Sequence, residues 1–363
     1  MKNTKTAVLS VTAVLLASAT ALSAAPAMAD PTPGTYPPLA GTGSDTTQFV
    51  LGGLAQAILD GEGQPIIGSF DAVDPESSQP GGLIKPTATG TDFNRPNGSG
   101  AGLRALAASI NPEGTRTQPR TDGTTTNVDI TGQLDFARSS SGPSGAGSDL
   151  TFIPFAQDAV SYAYARLGGS TVPTNLSLSE LALIYDRTVV RFYGDDGAWH
   201  DYSPRLPQAS SGTRSFFLSK LGLTEADVSW ISSSTFVQEN DGSEIDQVGE
   251  IVPFSVGSYV AQVNEKVPDT VTDNDVQLGR VNGLQPVIDG VPNPAFPVSR
   301  LVFNVVETSR LSGTSAEDLL LQSVFAGSQS QICQAEAVIE AYGFAAISNC
   351  GDTANYKQGY PSP

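Results

Sequence analysis

Histidine is almost missing from this chain: there is one, with two cysteines, two tryptophans and two methionines, in 363 residues of which only 15% are charged. Each shortage removes a class of function. The single His200 cannot furnish a two-metal site, which needs clustered His, Asp and Glu. It leaves a Ser-His-Asp hydrolase one ring to work with, and no GxSxG elbow surrounds any serine. Beside Trp199 it reads as a surface histidine. No CxxC occurs, so the cysteines are not a closely spaced redox pair. Neither GKS nor GKT is present, and Gly41 and Gly43 make only half of a dinucleotide fingerprint. Asp71, Asp74 and Glu76, or Glu239 and Asp241, are acidic loop residues that could hold Ca²⁺ only loosely. No metal, no cofactor and no chemical step are therefore expected. Basic residues are scarce as well: 19 Lys and Arg face 37 Asp and Glu, a formal net charge of −18. Such a chain is a poor match for nucleic acid or an anionic membrane.

Long hydrophobic runs are confined to the N-terminus. After Lys2 and Lys5, AVLSVTAVLLASATALSAA leads to Ala27-Met28-Ala29, the pattern of a secretory signal with a small-residue cleavage site. The expected mature chain begins at Asp30, residues 1–29 being removed. It has no cysteine at that point to take a lipid, and no later run long enough to span a bilayer. A secreted protein, extracellular or cell-wall associated, is the expectation. Cys333 and Cys350, an even pair in an exported chain, are expected to form a disulfide, which on the chain-entropy argument stabilises by roughly 3 kcal/mol.

What the chain does have is strands and helices in alternation. Strands are expected at Leu39 to Gly41, Ile66 to Phe70, Val128 to Ala137, Leu150 to Leu167, Tyr202 to Leu206, Ile251 onward and Val298 to Val306. Helices are expected at Thr46 to Leu59, Leu103 to Ile110, Leu176 to Tyr185, after Ser211, up to Val263, and at Leu319 to Phe325 and Cys333 to Tyr342. The alternation implies α/β layers with mostly parallel sheets. Asp74 to Asn97 and Gly114 to Thr126 read as polar loops. The long apolar run Leu150 to Leu167 suits a strand crossing between two lobes, with Val298 to Val306 as the returning crossover.

Four turns put hydroxyls, glycines or both at strand ends: Ser44 to Thr47, Gly98 to Gly102, Arg138 to Ser141 and Ser210 to Thr213. Three run directly into a helix. A helix start carries unpaired N–H groups and a positive dipole end, so small hydroxyl residues there form an anion cradle. Serine and threonine are also ordinary N-caps, which is the competing explanation for any one turn. In open α/β sheets such turns gather at the carboxyl ends of strands, where ligands bind.

GTGSDTTQ at Gly41 to Gln48, RPNGSGAG at Arg95 to Gly102, DFARSSSGP at Asp135 to Pro143, FIPFAQDAV at Phe152 to Val160 and PQASSGTRSFF at Pro207 to Phe217 resemble the secreted phosphate-binding subunits of actinobacterial ABC importers. The resemblance runs in order over nearly the whole mature chain, VSRLVFNVV and the Cys-bearing tail included. It implies an α/β, two-lobed type II periplasmic-binding-protein-like fold with two crossover strands. Lobe I would be 30–153 plus 297–363 and lobe II 154–296. It further implies a monomeric solute-binding protein that holds inorganic phosphate between the lobes, with an ABC permease as partner. The site carried over position by position is Thr46 and Thr47 with Ser44 and Asp45 adjacent, then Ser99 or the backbone of Gly100, then Arg138, Ser139 and Ser140, then Ser211, Gly212 and Thr213. At least one of Arg214, Arg205 and Arg138 should face the anion as a bidentate donor.

The third turn departs from the family pattern. Where the family has an Asp that accepts the proton of a protonated phosphate, this chain has Ser140. A serine donates or accepts, so it discriminates less against sulfate or molybdate, and Asp45 is either the substitute acceptor or a helix N-terminal carboxylate. The other classes open to this sequence are a receptor for another oxyanion, a secreted phosphoester hydrolase, or a structural surface protein reusing the fold.

Overall fold

The computed structural model describes residues 30–75, 77, 80–110, 115–119, 125–167 and 170–361. The expected signal segment and Glu76 lie outside the described residues. A nine-stranded mixed sheet organises the molecule. Its strands are β1 (Leu39–Gly43), β2 (Ile67–Ser69), β3 (Phe136–Ser139), β4 (Leu150–Ala165), β5 (Ser203–Pro204), β6 (Glu250–Ser255), β7 (Val276–Leu278), β8 (Ser299–Glu307) and β9 (Lys357–Gln358), in the order β5-β6-β4-β8-β3-β1-β2, with β7 and β9 also paired to β4.

The 16-residue strand β4 is the spine. At about 3.3 Å per residue it extends about 50 Å, long enough to serve two lobes. Because its side chains alternate, it feeds four buried clusters. Ile153 and Phe155 join Val50, Leu54 and Phe325 on one face of the first lobe, while Leu150 and Phe152 join Leu103, Leu106 and Phe303 on the other. Further along, Val160, Tyr162 and Tyr164 pack with Leu181, Tyr185 and Phe217, and Ala163 and Ala165 with Val252 and Phe254. The sheet is thus covered on both faces in both lobes.

The expectation of a mostly parallel sheet is corrected. β1 pairs in parallel with β2 and β3, and β5 with β6, but β8 is antiparallel to both β3 and β4, and β6, β7 and β9 are antiparallel to β4. A chain that crosses on β4 and returns on β8 must run the two in opposite directions, and the strands docked on them inherit the mixture.

The helices that bear on the site are α1 (Gln48–Ala57), α2 (Ser99–Ile110), α3 (Leu178–Tyr185), α4 (Gly212–Leu221) and α5 (Val256–Val263). Helix α2 starts four residues earlier than expected, because Ser99 and the glycines that read as a turn already form its first turn. Ser177 and Glu180 close a capping box on α3. The stretch read as one strand at Val128 to Ala137 is two strands, and the polar loop before it forms a hairpin, Thr115–Pro119 with Thr125–Asp129. The expected strand at Tyr202 to Leu206 shrinks to Ser203–Pro204, and the helix at Cys333 to Tyr342 divides into Gln331–Gln334 and Glu336–Ala341 about Ala335. The Cys333–Cys350 disulfide is formed, with 5.8 Å between the Cα atoms. No helix among the described residues is long and apolar enough to cross a membrane.

Candidate functional site

The four hydroxyl turns meet at one place. Parallel pairing of β1 with β3 sets Gly43 opposite Arg138, so the first and third turns leave the sheet side by side. The second turn is tied to the first by the Gly98 N–H, which donates to the Gly43 carbonyl at 3.1 Å. At the start of α2, Gly102 passes so near that a Cβ on it would lie 2.5 Å from the Gly43 Cα, and only glycine permits this approach. The fourth turn arrives from the other lobe. The Gly100 N–H donates to the Ser210 carbonyl at 3.1 Å, Ser210 Oγ donates to the Asn97 carbonyl at 2.9 Å, and Gln208 Nε2 donates to Asn97 Oδ1.

Between these turns the hydroxyls are buried and bonded to one another. Thr46 Oγ1 lies 3.0 Å from Thr213 Oγ1, donates to Glu239 Oε1 at 3.0 Å and accepts from Arg300 Nη2 at 3.2 Å. With its one proton on Glu239, Thr46 takes that of Thr213, so its hydrogen-bonding capacity is filled. Ser211 caps α4 by accepting the Arg214 N–H at 3.1 Å and turns its own proton to the Glu239 carboxylate, 3.0 and 2.9 Å away. Ser99 Oγ accepts the Ser140 N–H at 3.0 Å and lies 3.2 Å from Ser140 Oγ. Gly212 fits against this pair: a Cβ there would overlap Ser99 Oγ and stand 2.6 Å from Ser140 Oγ.

Charged groups surround the hydroxyls. Asp45 is fully buried, its carboxyl group beside that of Glu239. Burial, and then the nearby negative charge of Glu239, hold its carboxyl well above the usual range. Arg300 on β8 faces Asp158 on β4 directly across the two crossovers. Its Nε and Nη2 donate to Asp158 Oδ2 at 3.1 and 2.8 Å, and Nη1 is buried without a partner. Asp158 sits at the start of α5, taking the Gly257 N–H at 3.0 Å and the Ser255 hydroxyl at 3.2 Å. A buried carboxylate so supplied is neutralised by its ion pair and a helix N-terminus together.

Of the residues singled out from sequence, Thr46, Ser99, Ser140, Ser211, Gly212 and Thr213 converge here, with Asp45 beside them. Ser44 and Thr47 are buried in the first turn with unpaired hydroxyls, and Thr47, although at the N-cap position of α1, makes no side-chain cap bond. Ser139 bonds within its own turn, to the Ser141 carbonyl at 2.7 Å. Gly100 spends its N–H on Ser210. The arginines are engaged elsewhere. Arg214 pairs with Glu225 and the Pro207 carbonyl, and Arg205 with the Glu244 carbonyl and Glu250. Arg138 lies under the first turn, donating to the Ser44 carbonyl at 3.0 Å, to Ser69 Oγ at 2.8 Å and to the Phe70 carbonyl at 2.6 Å, with Nη2 unpaired. Sequence reasoning missed Arg300 and Asp158 and took Glu239 only for an acidic loop residue. Single charges inside the apolar strands FIPFAQDAV and VSRLVFNVV were the available signal for the first two, because a buried charge requires a partner. His200 lies on the hairpin Arg191–Tyr193 with Trp199–Asp201, its Nε2 3.0 Å from both carboxyl oxygens of Asp196. Among the described residues no group of three or more His, Cys, Asp or Glu could hold a metal ion.

No protein-family model and no curated protein matches the chain. Solved structures do. A Clostridium perfringens protein named as a phosphate ABC transporter substrate-binding protein, solved with bound phosphate, is 13% identical with a TM-score of 0.52, the match covering 85% of this chain and 99% of that one. An ABC-type phosphate transport receptor from Vibrio cholerae is 17% identical with a TM-score of 0.51, covering 85% and 100%. A human phosphate-binding apolipoprotein is 15% identical with a TM-score of 0.50, covering 86% and 91%. These likenesses, with the two crossover strands and the mixed sheet, give the chain the α/β two-lobed fold of the periplasmic-binding-protein type.

Proposed function

We propose that the protein is an extracellular solute receptor that binds an inorganic oxyanion, phosphate before others, between lobes spanning about 30–153 plus 297–363 and 154–296, for uptake through an ABC permease. One observation carries the reading. Hydroxyls from four separate turns, drawn from both lobes, converge with the N-terminal ends of α1, α2 and α4 in a single buried place beside Arg300. One such turn is an ordinary cap, whereas four meeting across a lobe interface offer a set of donors to an oxyanion. The names of the similar solved structures support phosphate as that anion.

Selectivity has a physical basis in the acids that face the hydroxyls. Asp45 and Glu239 both stand beside the hydroxyls. An anion that brings its own proton sets less negative charge against this buried acid pair than fully ionised sulfate does. The reading includes no chemical step. Calorimetric titration of the ligand-free protein with phosphate, sulfate and molybdate tests it. Phosphate is expected to bind at least about tenfold more tightly than sulfate, the equivalent of 1.4 kcal/mol. Heat from none of the three would end the receptor reading, and tighter sulfate binding would end the assignment to phosphate.

A further inference from the structure

Glu239 lies where both lobes present donors. It belongs to a segment of the second lobe that forms the seam with the first: Gln238 accepts from Asn97 Nδ2 at 3.3 Å, and Asn240 Nδ2 donates to the Asp45 carbonyl at 3.2 Å. The Ser255 N–H fixes the Glu239 carbonyl at 2.9 Å, so the backbone aims this side chain into the site. The carboxylate is fully buried, and among the described residues it has no Lys or Arg ion-pair partner. It is held by neutral donors, the hydroxyls of Ser211 of one lobe and Thr46 of the other, with the buried Asp45 carboxyl beside it. A carboxylate held by neutral donors at a helix N-terminus has the environment of a bound anion rather than of a structural ion pair.

We infer that Glu239 is a tethered competitor for the oxyanion site: its carboxylate occupies the hydroxyls of Thr46 and Ser211, bridges the lobes without ligand, and gives way when an external oxyanion binds. The inference rests on the receptor reading. A second anion among the same donors meets like-charge repulsion and finds the protons of Thr46 and Ser211 already taken. The wild-type affinity is therefore reduced by the cost of moving Glu239 aside, and lobe closure does not depend on ligand.

The test is calorimetric titration with inorganic phosphate of the wild type, Glu239→Gln, which keeps the shape and one acceptor, and Glu239→Ala, which removes both, with small-angle scattering of each ligand-free protein. Both variants are expected to bind phosphate at least about tenfold more tightly than wild type, equivalent to 1.4 kcal/mol. Glu239→Ala without ligand is expected to be more extended than wild type and to contract on adding phosphate. Unchanged or weaker phosphate binding by both folded variants, while the wild type binds, overturns the inference and leaves the receptor reading intact. Binding of no oxyanion by any of the three overturns both. A ligand-free wild type as extended as Glu239→Ala overturns the bridging role.

Discussion

At the scale of single residues the site is backed by a second buried charge network. Asp30 takes a bidentate pair from Arg95, at 2.8 and 2.7 Å, and the Asp71 N–H at 2.8 Å, while Arg138 leans on the carbonyls of Ser44 and Phe70. Asp71 is buried among them with Oδ1 unpaired, and its carboxyl is pushed from 3.8 up to about 7, burial outweighing the pull of Arg138. Burial likewise lowers Arg138, to about 10, which leaves it charged at neutral pH. Since folded Asp71 holds its proton more tightly than the unfolded chain does, its contribution is fully present below pH 3.8 and is lost as pH rises through about 7. Asp71→Asn should therefore lose less stability than wild type between pH 4 and 7, by a margin of a few kcal/mol at about 1.4 kcal/mol for each tenfold change in proton affinity. Urea unfolding at three pH values in that window checks this, and parallel stability curves for the two proteins would refute it. The residue scale is also where sequence reading stopped. Ser211 and Thr46 declared themselves by their turns. Thr46 meets Glu239 from 193 positions away and Arg300 from 254, and no local pattern encodes those meetings.

At the scale of elements, strands and helices were legible where one local cause dominates. The apolar length of β4, the helix over Leu176 to Tyr185 and the Ser211 cap of α4 are read from neighbouring residues. Sheet direction was not, because it follows from the return of the chain on β8, a fact of topology. The start of α2 was misjudged since Gly98, Ser99, Gly100 and Gly102 read as a turn. Their small size serves the close approach to Gly43 and to the Ser210 carbonyl instead. The meeting of α4 with the second and third turns makes Gly212 the most sensitive point of the interface. Gly212→Ala keeps a residue that helices favour but drives a methyl group into Ser99 and Ser140. Overpacking of about 1–3 kcal/mol implies roughly five- to 150-fold weaker phosphate binding by the folded variant. Calorimetry reads it directly, and wild-type affinity would mean that α4 does not meet the second and third turns in the bound molecule.

At the scale of the whole molecule, two strands carry the chain between lobes and the site lies beside them. The Arg300–Asp158 pair braces the crossovers and reaches Thr46, so the residues on the two crossover strands touch the place where the four turns meet. Four clusters strung along one strand make each lobe a packed unit in its own right, which suits motion of one lobe against the other about β4 and β8. The overall charge of −18 opposes any anion at long range, so recognition falls to local donors rather than to the field of the protein. On the receptor reading an oxyanion is bound between the lobes by the hydroxyls of the four turns. A crystal structure with arsenate, a tetrahedral analogue of phosphate that anomalous scattering locates unambiguously, tests this. One arsenic peak is expected within hydrogen-bonding range of Thr46, Ser99, Ser140, Ser211 and Thr213, with the Glu239 carboxylate moved aside. Arsenic bound only outside the lobe interface, or no peak at saturating arsenate, would contradict the claim.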